Sequence, residues 1–317
     1  MNKKGFRDES TSKLGLKYKN NGKVFEEVLG STPYLEFPFL KETGFVKHGF
    51  TTRHGGLSKG EFGSLNLGFA RGDETHDVTR NFLNVGKAMG IHIKDMVFSK
   101  QSHSTNVQVV GAADRGNGIT KVQSFRDVDG LVTNVPGVCL VTFYADCVPL
   151  YFVDTRKKAI GLSHSGWRGT ASRMAVKTLN KMREKYGTVA RDVKVAIGPS
   201  ICQDCFEVSE DVAMEVRKHF PRDMWGELYV KKENGKYDLD LWRANELLLL
   251  DTGIRPDNMV VTNLCTSCNK DSFFSHRRMG EKRGTMAAFL MMKDWNDVVE
   301  ANCNVKPLVN DAKGDRV

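Results

Sequence analysis

The stretch V-C-L-V-T-F-Y-A-D-C-V-P-L-Y-F-V-D, residues 138–154, with A-I-G-L-S-H-S-G-W-R-G-T, residues 159–170, decides how this chain folds. Its apolar runs, 138–143, 149–153 and 159–162, have the length and β-branched or aromatic content of strands buried on both faces. The first break carries Asp146 and Cys147, the end of the third run carries His164, and a helix pattern starts almost at once. Chemistry in sheet proteins gathers where strands stop. Upstream, another strand end, Gln101-Ser102-His103, offers a second histidine. The reading is that His103, Cys147 and His164 converge.

Working outward, Val78, Phe82, Val85 and Met89 share one face of a helix over 76–89, with Gly90 as its C-cap. Residues 96–99, 107–110 and 131–133 read as short strands. After His164, the residues Ala171, Met174, Ala175, Thr178, Leu179 and Met182 repeat at helical spacing, and Gly187 closes the pattern. A strand over 193–197, a helix capped by Ser209, a leucine-rich helix over 239–250 and a strand over 258–262 follow. Alternating strands and helices give one mixed α/β domain over 23–298. Residues 1–22 read as a disordered basic tail and 299–317 as a loose C-terminal tail.

Composition narrows the classes. The formal charge is +9, and Lys3, Lys4, Arg7, Lys13, Lys17, Lys19 and Lys23 supply much of the excess. A solvated tail, attraction of anionic small molecules and nucleic-acid binding compete to explain it. No finger, helix-turn-helix or RNA-binding signature supports the last, so no nucleic-acid partner is expected. No apolar run reaches the length of a membrane span, and the N-terminus lacks the apolar stretch of a secretory signal. Seven cysteines, an odd number, point to free or metal-bound thiols and a cytoplasmic protein.

Two imidazoles and a thiolate suit Zn²⁺ and leave a fourth position open for water or substrate. The same residue types fit a metal-free site equally well. Cys147 would then be a nucleophile, activated by His164 or His103 and oriented by Asp146 or Asp129. A phosphate-loop motif, H-E-x-x-H and the zinc nucleobase-deaminase signature are all absent. Arg53, Arg168, Arg277 and Arg278 are candidate anion anchors, Arg168 at the start of the helix that follows His164. Two C-x-x-C pairs, Cys202/Cys205 and Cys265/Cys268, lie much further apart than the roughly 15–20 residues of a compact zinc ribbon, so unligated thiols, a redox pair and a second metal site all remain readings.

Nine motifs fall in order along the chain: H-G-F-T-T-R-H-G-G-L-S, S-L-N-L-G, Q-S-H-S-T-N-V, D-V-D-G-L-V-T, A-D-C-V-P-L, S-H-S-G-W-R-G-T, G-P-S-I, C-F-E-V and F-F-S-H-R-R. Together they resemble the laccase-domain family, once called multicopper polyphenol oxidase and now described as purine nucleoside phosphorylase, over about residues 45–292. The resemblance implies a compact α/β fold with mixed sheets sandwiched between helical layers, α/β/β/α. It implies a metal site of His103, Cys147 and His164, holding zinc or, in some descriptions, copper. It implies phosphorolysis of adenosine, inosine and methylthioadenosine to base and sugar phosphate, with adenosine deamination alongside; polyphenol oxidation is the older assignment. Eight histidines and no H-x-H pair fit poorly with a blue multicopper oxidase. The expected partners are purine nucleosides and phosphate, and the expected substrate-binding set is Arg53, Asn66, Asp129 and Arg168. The family's glycine-arginine motif stands here as K-R-G-T, Lys282 to Thr285.

Overall fold

The three apolar runs form the strands Cys139–Tyr144, Val148–Asp154 and Ala159–Ser165 in a computed structural model that describes residues 12–294. The last two make an antiparallel hairpin in which Pro149 faces His164. Asp154 shapes its turn by accepting the N–H groups of Arg156 and Lys157 at 2.9 and 2.8 Å. The first two do not pair. Cys139–Tyr144 belongs to one six-stranded sheet and Val148–Asp154 to another, so Asp146 and Cys147 sit where the chain crosses between sheets.

In the first sheet the order is Glu26–Val28, Tyr34–Glu36, Val46–Thr51, Met286–Met292, Cys139–Tyr144, Met96–Phe98. The second runs Met259–Val261, Val193–Ile197, Val148–Asp154, Ala159–Ser165, Gly130–Thr133, Val107–Val109. Both mix parallel and antiparallel pairs. A small third sheet joins Glu207–Val208, Tyr237–Leu239 and Tyr229–Lys231.

The period-2 alternation of strand side chains explains the continuous apolar runs. Leu140, Phe50 and Leu290 face Tyr151, Val153 and Leu162 between the two sheets. Val141 and Phe289 turn the other way, onto Phe82 and Val85 of the helix Thr75–Met89. Leu150 and Phe152 turn away from the first sheet, onto the cluster of Leu179, Met182 and Leu248 on the helices Met174–Tyr186 and Leu241–Asp251. The expected α/β/β/α layering is therefore present. The helix Met174–Tyr186 approaches closely at Gly161, where a Cβ would lie 3.1 Å from the Met182 sulfur. Deleting Leu179 from this interface to Ala should cost roughly 2–5 kcal/mol.

Two expectations change. The pattern after His164 is two helices, Trp167–Ala171 and Met174–Tyr186, broken at Arg173 in the left-handed region (φ 61°). The apolar repeat spans the break, and no glycine or proline marks it. At the N-terminus, residues 12–22 lie on the body instead of forming a disordered tail. Leu16 is buried, the Lys17 N–H donates to Asn269 Oδ1, and the Lys19 N–H donates to the Asn263 carbonyl. Leu16 joins the core between the sheets, with Leu14 and Tyr18 packed against it, which supplies the apolar burial that a lysine-rich composition conceals. The rest of the basic tail and the whole 299–317 tail lie outside the described residues. Among the described residues, no helix is long and apolar enough to cross a membrane.

Candidate active site

The sheet crossover is held from several sides. Asp146 adopts a left-handed backbone (φ 87°), a conformation costing a non-glycine residue about 1–3 kcal/mol. Its surroundings fix it there. The Ile201 N–H donates to its carbonyl, the Thr266 hydroxyl to Oδ1, and the Ser275 hydroxyl and Arg277 N–H to Oδ2, at 2.7–2.9 Å. Cys147 follows at once, half-buried, so its sulfur is aimed by the residue whose backbone and carboxylate these bonds fix.

His164 reaches the same place from the end of Ala159–Ser165. Its Nδ1 pairs with Asp129 Oδ1 at 2.9 Å, and its N–H donates to the Asp129 carbonyl at 2.8 Å. With Nδ1 engaged, Nε2 is left for the cluster. Asp129 is fully buried and also gathers the N–H groups of Ser102, His103 and Ser104 at 2.9–3.1 Å, and the Ser104 hydroxyl. These bonds set the 102–104 turn, in which His103 is left-handed (φ 64°), and present its ring to the cleft. Burial pushes the Asp129 carboxyl up, but His164 and the donors around it outweigh burial and hold it below its ordinary value.

His103, Cys147 and His164 do converge. Their ligand atoms lie within 4.8 Å of one another, and His103 Nε2 is 4.0 Å from the Cys147 sulfur. A zinc ion bridging nitrogen and sulfur spans at most about 4.3 Å. The donor set, spacing and buried carboxylate behind one histidine fit such an ion. Burial pushes the Cys147 thiol up, while His164 and His103 together bring it to about 6. Burial lowers His164, and Cys147 with Asp129 reverses this, bringing it to about 9. Each charge favours the other: the imidazole lowers the thiol, and the thiolate raises the imidazole. Gly166 closes the cluster from behind, where a Cβ would sit 3.0 Å from the Cys147 sulfur and 3.2 Å from the His103 ring.

The cluster opens into a cleft of about 910 Å³. Phe69, Phe98, Phe143, Trp167 and Phe206 give it apolar walls. Arg168 lines it, exposed and stacked over the Trp167 ring at 4.3 Å. Arg168 is the second residue of the helix Trp167–Ala171, which has only five residues, so no extended helix dipole stands behind it. Arg277 also lines the cleft, but donates to the Glu207 carbonyl; Arg278 is tied to the Ser267 carbonyl instead.

Arg53 is not among the cleft-lining residues. Its guanidinium donates to the carbonyls of Gly63 and Lys270 and stacks on Phe274, so it knits loops together. Asn66 is buried behind the wall. It accepts the N–H groups of Gly68 and Thr285 and donates to Asp73. Asp129 likewise acts from behind, through His164 and the 102–104 turn. Besides Arg168 and Arg277, two further arginines line the cleft with the cluster, Arg71 and Arg283. Arg283 is only 6% exposed, and its Nε has no partner among the described residues. Burial first, and then the neighbouring Arg71, lowers Arg283 to about 10. Glu281, also on the cleft, pairs with Arg71 at 3.5 Å, and an anion in the cleft would offset the charge of Arg283 as well. The K-R-G-T departure contained Arg283, and Arg71 stands in a glycine-flanked loop much as Arg53 does; sequence alone does not rank such arginines.

A four-layer α/β sandwich with a His₂Cys cluster at its strand crossover defines the class. The chain belongs to the family described as multi-copper polyphenol oxidoreductase laccase, which matches residues 47–293. One relative, the purine nucleoside phosphorylase YlmD of Geobacillus stearothermophilus, is 39% identical over 246 residues, covering 76% of this chain and 88% of that protein. Another, the adenosine deaminase RL5 of an unknown prokaryotic organism, is 34% identical over 78% of this chain and 94% of its own length. The crystal structure of YlmD from Geobacillus stearothermophilus superposes with a TM-score of 0.79 at 36% identity, over 86% of this chain and 99% of that one.

Proposed function

We propose that this protein is a zinc-dependent purine nucleoside phosphorylase that also deaminates adenosine. The observation that carries the reading is the sharing of one cleft by the His103–Cys147–His164 cluster and the Arg71–Arg283 pair. Relatives bearing both activity names support it.

His103, Cys147 and His164 would hold the ion, which supplies a Lewis acid at the cleft wall. Asp129 keeps the His164 proton on Nδ1 and its lone pair on Nε2. Arg71 and Arg283 anchor phosphate, with Arg168, stacked on Trp167, as a further cation lining the cleft. The aromatic walls pack the purine and exclude water. In phosphorolysis a phosphate oxygen bonds to C1′ as the C1′–N9 bond breaks, and the electron pair leaves with the base. The guanidiniums neutralise the nucleophile and fix its line of approach. We place the reaction in the cytoplasm, where free cysteines such as Cys139, Cys147, Cys202, Cys205, Cys265 and Cys268 stay reduced.

Purified protein is incubated with adenosine, inosine or methylthioadenosine, with and without phosphate, while bases, inosine and ribose 1-phosphate are followed. Phosphate-dependent release of base is the expected result. Zinc, and not copper, should accompany the activity in elemental analysis. Phenol oxidation without nucleoside turnover would assign the older oxidase chemistry. One feature favours a second reading, cysteine-nucleophile hydrolysis: the lowered Cys147 thiol beside His103. Full activity in a metal-free preparation would establish that reading instead.

A further inference from the structure

The two C-x-x-C pairs are remote in sequence and meet in space. The strands Val193–Ile197 and Met259–Val261 run parallel and adjacent, so the loops after them leave the same edge of the second sheet. A bridge between Ser200 and Cys265 continues that pairing into the loops. The sulfurs of Cys202, Cys205, Cys265 and Cys268 all lie within 4.8 Å of one another. Cys205 and Cys268 are 3.5 Å apart and Cys202 and Cys268 are 4.0 Å apart. A disulfide needs about 2.05 Å. Four sulfurs at the corners of a zinc tetrahedron, with bonds of about 2.3 Å, stand about 3.8 Å apart.

The surroundings favour thiolates. The N–H groups of Cys202 and Cys268 both point at the Cys265 sulfur, at 3.3 and 3.4 Å. Arg278 Nη2 lies 3.8 Å from the Cys205 sulfur, and Lys19 interacts electrostatically with Cys202 and Cys268. Four thiolates around a divalent ion leave two negative charges; Arg278 offsets part of this, and Lys19 is shared with the Asp204 carboxylate at 2.7 Å.

We propose that Cys202, Cys205, Cys265 and Cys268 form a second, closed zinc site that is structural and separate from the His103–Cys147–His164 cluster. It ties together the two loops that brace the sheet crossover. Ile201, just before the first pair, donates its N–H to the Asp146 carbonyl, and Thr266, inside the second, donates to Asp146 Oδ1. The site needs no purine chemistry and stands whether or not the proposed activity is found.

Zinc is counted in the full chain after gel filtration. Wild type should carry two zinc ions, and the variant Cys147→Ser/His164→Ala should keep one. Cobalt exchanged into that double variant should give the intense sulfur-to-cobalt charge-transfer bands and tetrahedral visible bands of a tetrathiolate. Cys202→Ser/Cys268→Ser should carry one zinc and unfold at lower temperature. If that variant does not fold, the double variant still decides, because its remaining zinc should be released in step with modification of its thiols by an organomercurial. A zinc-free double variant with no cobalt–thiolate bands, iron in place of zinc, or a disulfide among these cysteines in intact-mass analysis would each overturn the proposal.

Discussion

Replacing Asp129 by Asn preserves shape and removes one acceptor. Oδ2 takes the N–H groups of Ser102 and Ser104 and the Ser104 hydroxyl, while Oδ1 takes the His103 N–H and His164 Nδ1. The new amide must turn its NH₂ toward one of these groups. Facing the Oδ2 donors, it strands two backbone N–H groups. Facing the Oδ1 position, it strands one, at His103, and makes His164 accept at Nδ1. The second arrangement is cheaper. One stranded buried donor costs about 1–3 kcal/mol. Loss of charge on the remaining bonds adds roughly 1 kcal/mol. Asp129→Asn should therefore lose about 2–4 kcal/mol in urea unfolding. Because His164 then carries its proton on Nε2, zinc affinity measured with a competing chelator should fall about 10–100-fold. Wild-type stability with unchanged zinc affinity would refute the assignment of Asp129 as the group that sets both histidines.

Other outcomes follow from the same geometry. Arg283→Ala should raise the apparent KM for phosphate about 10–100-fold, the loss of one charge-assisted anchor. Arg53→Ala should lower the unfolding temperature and leave that KM unchanged, which steady-state kinetics and melting curves separate. Burial holds His48 at about 4, against 6.5 in the unfolded chain, while its Nε2 accepts the Phe37 N–H. The unfolded state binds the extra proton between those values, so stability is full above 6.5 and falls with pH below it. From pH 7.5 to 5 this group should remove about 2 kcal/mol in urea titrations, a slope that His48→Gln should lack. Gly166→Ala should push a methyl group into Cys147 and His103 and weaken zinc retention with little effect on overall fold, read by zinc content beside far-UV circular dichroism.

The strongest sequence signals came from burial on both faces. The runs at 138–143, 149–153 and 159–162 stood out because both sides of each strand are covered, and the stripe Val78, Phe82, Val85 and Met89 because only one side of its helix is. The His103–Cys147–His164 convergence followed from reading strand ends. Other elements carried no such signal. Met286–Met292 reads M-A-A-F-L-M-M, without a β-branched residue, and is a strand because neighbours on both sides and both faces demand it. The break at Arg173 has no glycine or proline to announce it. The role of Arg53 depends on carbonyls at Gly63 and Lys270, which no local pattern reveals. The separation of the cysteine pairs leaves their role open in the sequence, and parallel strand pairing cancels that separation in space.

The position of Met286–Met292 bears on how the chain is made. It is the last described strand in sequence, yet it lies between Val46–Thr51 and Cys139–Tyr144. Until it emerges from the ribosome, those two strands present unpaired apolar edges, and the wall carrying Cys147 lacks its neighbour. Nascent chains halted before residue 286 should associate with holdase chaperones and resist zinc loading at the crossover. Extending the stalled chain far enough to expose residue 292 should end both behaviours in one step.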